Sequence, residues 1–131
     1  MPKRIDDKIE IELHDVFHVQ QITRGTPIEE AVGADLVTME PGKNSEPHRH
    51  NFSETVLFFT AGKAVVHING EPHVVKAGDR ILIHKTEFHS VTTADDSGCA
   101  FLSVQTPPIL TKVTGSRDLE TLEAAKAAGT L

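Results

Sequence analysis

Gly42-Lys43-Asn44-Ser45-Glu46-Pro47-His48-Arg49-His50-Asn51-Phe52-Ser53-Glu54 is the chain's densest run of side chains able to do chemistry. On extended backbone alternate residues face one side, so His48 and His50 point together. Two imidazoles on one face can reach a single ion through ring nitrogens at about 2.0–2.1 Å. Pro47 biases Glu46 towards extended geometry and stiffens the entry. A short connection carries Glu54 onto the next strand, where its carboxylate is expected to add an anionic ligand. His89 is the best-placed fourth ligand: it follows the turn-like His84-Lys85-Thr86-Glu87-Phe88 and opens a strand. Three imidazoles and one carboxylate make a harder site than thiolates would. The set suits one divalent transition metal: iron, manganese, nickel, copper or zinc.

The flanks on both sides read as short strands. Ile9, Ile11 and Leu13 alternate with Glu10 and Glu12, the pattern of a half-buried strand. Residues 34–39 form an apolar run stopped by Pro41-Gly42, and residues 54–60 are rich in β-formers. Asn69-Gly70 predicts a hairpin between residues 64–68 and the arm holding Val74 and Val75, because both residues tolerate the positive φ of a tight turn. Further strands are expected over residues 80–84, 89–93 and 99–105, with Pro107-Pro108 closing the sheet region. About eight to ten short strands with regular turn signals point to a sandwich or barrel. One helix is expected at the end, capped by Ser116, with Asp118 and Glu120 in its first turn and Gly129 after it. Its apolar face, Leu119, Leu122 and Ala125, is thin, so it is expected to pack on the outside.

Composition narrows the function classes. The 131 residues fit one domain, and the net charge of -6 argues against a nucleic-acid surface, which needs clustered Lys and Arg. No apolar run approaches the roughly 20 residues that span a bilayer. Residues 1–7 lack the apolar stretch of a signal peptide, which favours the cytoplasm. Cys99 is the single cysteine, so an internal disulfide and a cysteine-rich zinc site are both excluded; its apolar neighbours read as an inert core thiol. Eight histidines stand against no Trp and no Tyr, so the question is how many converge. His14, His18, His67 and His73 read as ordinary strand or surface residues. Arg49 lies between two inward ligands and is expected to point away, to the other sheet or a partner chain. Phe52, Val56, Phe58, Val91 and Phe101 are expected to wall an apolar pocket.

Gly42, five residues, His48-x-His50, three residues and Glu54 resemble the first motif of the cupin superfamily. Gly78, five residues, His84-x-Thr86, two residues, His89, three residues and Thr93 resemble the second. The resemblance covers residues 42–93, most of the domain. Four positions depart from the family pattern: His84 stands for its proline, Thr86 for its glycine, Thr93 for its asparagine, and the glycine closing the first motif falls one residue late, at Gly62. The resemblance implies an all-β fold, a double-stranded β-helix or jelly-roll barrel around the metal, with a short C-terminal helix. With the terminal readings from the residues themselves, the chain is expected to divide into a flexible tail at 1–8, a cupin barrel at 9–115 and a helix packed on the barrel at 116–131. It implies the ligand set His48, His50, Glu54 and His89, with one or two metal positions open to water or substrate.

The function this implies is a metal-dependent dioxygenase acting on a small organic substrate. Metal-assisted isomerase or lyase chemistry is a rival, with His84 as acid/base or supporting group. A non-catalytic binding or sensing module is another, since one fold hosts many functions. The expected partners are a small molecule, with no nucleic acid and no membrane, and a second copy. The N-terminal strand, residues 9–13, is suited to pair with or cross onto that copy in a two-fold homodimer.

Overall fold

The computed structural model describes residues 4–5, 8–110 and 117–131. Their elements, in chain order, are β1 (Glu12–His14), β2 (Phe17–Gln21), β3 (Gly33–Met39), β4 (His48–Arg49), β5 (Glu54–Ile68), β6 (Glu71–Lys76), β7 (Arg80–Ile83), β8 (His89–Thr92), β9 (Cys99–Thr106), β10 (Glu120–Thr121) and α1 (Leu122–Ala128). Among the described residues the fold is all-β apart from one short helix.

Strand β5 joins the two walls of the curled sheet. Its first half pairs with β9 and β7, and its second half with β6 and β8. The register slips between Phe59 and Ala61. The slip changes which parity faces inward: Thr55, Leu57 and Phe59 are buried before it, Ala64 and Val66 after it. Gly62 sits just beyond at φ 71°, and a Cβ there would collide with the Gly98 carbonyl oxygen, so only glycine fits. From β5 the sheet runs through β9, β3 and β2 to β1 on one side, and through β8 and β4 to β10 on the other. The β5–β6 turn is the expected hairpin: Ile68 faces Glu71, and Asn69 and Gly70 have φ 49° and 82°.

The apolar core lies between the walls and includes Val37, Leu57, Phe59, Val66, Ile83, Val91 and Phe101. Each such side chain contributes roughly 1.5–3 kcal/mol by leaving water. Cys99 is buried among them, and burial pushes its thiol up to about 11, so it is an inert core group.

Several expectations are corrected. The N-terminal strand is only β1, and its parity is inverted: Ile11 and Leu13 are 66% and 65% exposed, while Glu12 and His14 are partly buried. The charged residues turn inward because Glu12 accepts hydrogen bonds from Gln21 and Arg24. The helix starts at Leu122, capped by the Thr121 hydroxyl, which accepts from the Ala124 N–H, and ends at Gly129 in the left-handed region. Asp118 and Glu120 precede it; the expected cap, Ser116, and much of the tail lie outside the described residues.

Candidate metal centre

His48 and His50 belong to the segment around β4, and His89 opens β8, where it pairs directly with His48. The alternation read from the sequence therefore puts three imidazoles on one inner surface. Each offers a ring nitrogen, and these nitrogens all lie within 4.8 Å of one another. The ring centroids are 4.4–5.0 Å apart.

The opposite edge of each ring is held by a backbone carbonyl. His48 Nδ1 is 3.1 Å from the Glu46 oxygen, His50 Nδ1 2.6 Å from the Asp118 oxygen, and His89 Nδ1 3.0 Å from the Glu87 oxygen. A carbonyl only accepts, so each Nδ1 carries the proton and each Nε2 keeps its lone pair for the cavity. Burial and the neighbouring His50 hold His48 down at about 4; burial also lowers His50. Burial, reinforced by His48 and His50, puts His89 well below its ordinary value. Three neutral imidazoles with converging lone pairs are the donor state that a divalent ion requires. The group fits a metal.

Glu54 is not brought to this group. Its neighbours Thr55 and Leu57 face the cavity, and Glu54 faces the other way. There its carboxylate accepts from the Lys85 N–H at 3.2 Å and meets His84 Nδ1 at 3.1 Å. His84 is 63% exposed on its side chain and lies outside the cavity lining. The side chain that points inward at the end of the His-x-His loop is Thr55, 2% exposed. Its Oγ1 is the one buried side-chain polar atom without a partner among the described residues. Gly62 carried the sequence signal for this: if position 55 rather than 54 is the inward one, the closing glycine is no longer late.

The cavity has a volume of about 150 Å³. Its walls include Phe17, Val19, Val37, Leu57, Val91 and Phe101. Val91 and Phe101 were expected there. Phe52, Val56 and Phe58 are instead exposed on the outer face, the same parity as Glu54. His14 read as ordinary but lines the cavity, bonded to Glu12 at 2.9 Å and 3.4 Å from Arg117.

Asp35 also went unread in the sequence, although it is in phase with Val37 and Met39. Asp35 on β3 is 7% exposed. It accepts from Gln105 Nε2 at 2.7 Å. Gln105 is itself fixed, its Oε1 accepting from the Ile109 N–H at 3.0 Å, and a side chain at Gly33 would occupy its place. Burial raises Asp35 to about 6, against the opposing Gln105 hydrogen bond.

A family model described as a cupin domain matches residues 35–105, more than half of the chain. The pectin degradation protein KdgF of Dickeya dadantii is 31% identical over 55 residues, which are 42% of this chain and 50% of KdgF. The match thus spans about half the length of that relative. The solved structure of KdgF from Halomonas sp. superposes with a TM-score of 0.65 at 14% identity, covering 78% of this chain and 87% of that one. A sugar phosphate isomerase from Silicibacter pomeroyi superposes with a TM-score of 0.66 at 22% identity, covering 82% and 77%. At these identities the structural likeness is one of fold alone.

Proposed function

The chain belongs to the cupin-domain family, and from that premise we propose that it is an enzyme using one divalent metal ion, held by His48, His50 and His89, to move a proton on a small oxygen-rich molecule. The observation that carries this reading is the titratable carboxyl of Asp35 in the same cavity as the three imidazoles. A divalent ion in that group would act as a Lewis acid on a carbonyl or hydroxyl oxygen, its charge not offset by a ligand carboxylate. The apolar wall excludes water around the ligand. Asp35, held at about 6, keeps both protonation states populated close to neutrality, as an acid–base group must. Gln105 engages its Oδ2, and among the described residues no hydrogen bond occupies its Oδ1. In this reading Asp35 takes the acid–base role that the sequence offered to His84. The carbohydrate names of the relatives, pectin degradation and sugar phosphate isomerisation, support a hydroxylated, carbonyl-bearing substrate.

Oxygen activation is the second reading, favoured by the aromatic wall of Phe17 and Phe101. One experiment separates them. Zinc-, manganese- and iron(II)-loaded protein is incubated in D₂O with small hydroxyketones and keto acids, and α-hydrogen exchange is followed by NMR. In parallel, oxygen uptake by the iron(II) form is followed with catechols, flavonols, β-diketones and thiols. Metal-dependent exchange is the expected result. Oxygen uptake without exchange would replace it with a dioxygenase, and neither would leave a binding module.

The exposed Leu13 of the edge strand β1 and Ile11 just before it support a two-fold homodimer, with a second copy covering them. Light scattering should give twice 14.3 kDa at micromolar concentration; a monomer mass would end this assignment. Among the described residues no helix is long and apolar enough to cross a membrane. A cytoplasmic setting is part of the same reading.

A further inference from the structure

The loop between β4 and β5 leaves three consecutive backbone N–H groups, those of Asn51, Phe52 and Ser53, without ladder partners. All three donate to one side chain. Asp118 Oδ1 accepts from Asn51 at 2.8 Å, and Oδ2 accepts from Phe52 and Ser53 at 3.0 Å each. The backbone oxygen of the same residue accepts from His50 Nδ1–H at 2.6 Å. A carboxylate taking three backbone N–H groups is a strong, directional anchor. It fixes where the Asp118 carbonyl lies, and that carbonyl fixes the tautomer and tilt of His50.

The rest of the segment is tied to the same strand. Thr121 pairs with His48, Glu120 pairs with Arg49, and the Leu122 N–H donates to the Pro47 oxygen at 2.9 Å. Arg49 turns away from the cavity, donates to Glu120 Oε1 at 2.6 and 2.8 Å, and stacks over Phe88. The partner expected for Arg49 on another sheet or chain is thus this chain's own C-terminal segment. Residues 117–121 lie across the His-x-His strand as a strap joined to it along its length.

We propose that Asp118 is the positioning residue of the metal centre, locking the loop at residues 51–53 through its side chain and His50 through its carbonyl. The proposal rests on the reading of the three histidines as metal ligands. Metal binding and closure of the strap are then reciprocally coupled, so each favours the other.

The test uses the full chain and zinc(II) as the probe. Asp118→Asn keeps the size but replaces one of the two acceptor oxygens with an NH₂, which in either amide orientation opposes at least one of the three backbone N–H donors. Competition with a chromogenic chelator should show zinc affinity weakened on the order of 10- to 100-fold, with the far-ultraviolet spectrum unchanged. Asp118→Glu should recover part of the loss. Imidazole ¹⁵N spectra of zinc-free protein at pH 7.5 supply a readout that general destabilisation would not give. His50 should lose its defined Nδ1–H tautomer while His48 and His89 keep theirs. An affinity within two-fold of wild type, or a His50 tautomer that persists, overturns the proposal. Should Asp118→Asn fail to fold, amide exchange in wild type decides: zinc must slow exchange at Asn51, Phe52, Ser53 and Leu122, and unchanged rates overturn the coupling. If wild type binds no zinc, the metal reading fails separately, and the zinc-free His50 spectrum still decides the role of Asp118.

Discussion

Two clusters in this protein are built on histidine and differ in burial and in what holds the rings. Inside, His48, His50 and His89 stand within 4.8 Å of one another, each ring held by a backbone carbonyl. Outside, His84 and Glu54 meet at 3.1 Å with side chains 63% and 43% exposed. The inner rings are oriented by backbone carbonyls, and burial keeps them neutral. The outer pair is held by its own contact and by the Lys85 N–H on Glu54, in water, where such a pair is worth about 0.2–1 kcal/mol. Which side of a strand a residue occupies, and what holds its far edge, separates a ligand from a surface polar group.

The sharpest way to break this comparison is metal affinity. His89→Ala should weaken zinc binding by at least on the order of 100-fold, since it removes a donor rather than a support. Glu54→Gln, which the sequence alone placed in the ligand set, should change it less than about three-fold, as expected of a distant, screened carboxylate. Equal losses in the two variants would mean that Glu54 swings inward when metal binds.

The pH dependence of zinc-free protein comes next in size. His48 has a folded value of about 4, below its ordinary 6.5, so the unfolded chain binds more protons between those values. Stability is therefore intact above about pH 6.5 and falls as pH drops towards 4, each such histidine removing about 1.4 kcal/mol for every pH unit crossed in that window. Asp35 acts in the opposite sense. Its folded value of about 6 lies above the ordinary 3.8, so its contribution is full below about pH 4 and lost as pH rises through 6. Asp35→Asn keeps an oxygen for Gln105 and removes that loss. It should raise the melting temperature by a few degrees at pH 7.5, equivalent to roughly 1–2 kcal/mol, and leave it unchanged at pH 4. A destabilised Asp35→Asn at pH 7.5 would show that the ionised carboxyl is structural rather than held for chemistry.

The smallest expected effect belongs to the outer pair. His84→Ala should alter stability by less than about 1 kcal/mol and leave zinc affinity unchanged. A larger effect would move His84 from the rim into the working part of the molecule.

Short-range chemistry decided what the sequence determined on its own. The period of two placed His48 and His50 together, the strand opening at His89 supplied the third ring, Asn69-Gly70 set the hairpin, the punctuated β-runs pointed to a sandwich or barrel, and the resemblance of residues 42–93 to the two cupin motifs narrowed that to a cupin barrel. The tertiary structure decided the rest. Glu54 and Thr55 are neighbours, and only the pairing of β5 with β9 says which of them faces the cavity. Asp35 reads as a polar interruption until Gln105, 70 residues away, is laid against it. Asp118 reads as a helix-start residue until its carboxylate meets N–H groups 65 to 67 residues earlier. Local pattern sets the alternation along a strand, but its phase relative to the core, and the partners that orient a buried polar group, come from strands that the chain brings together only on folding.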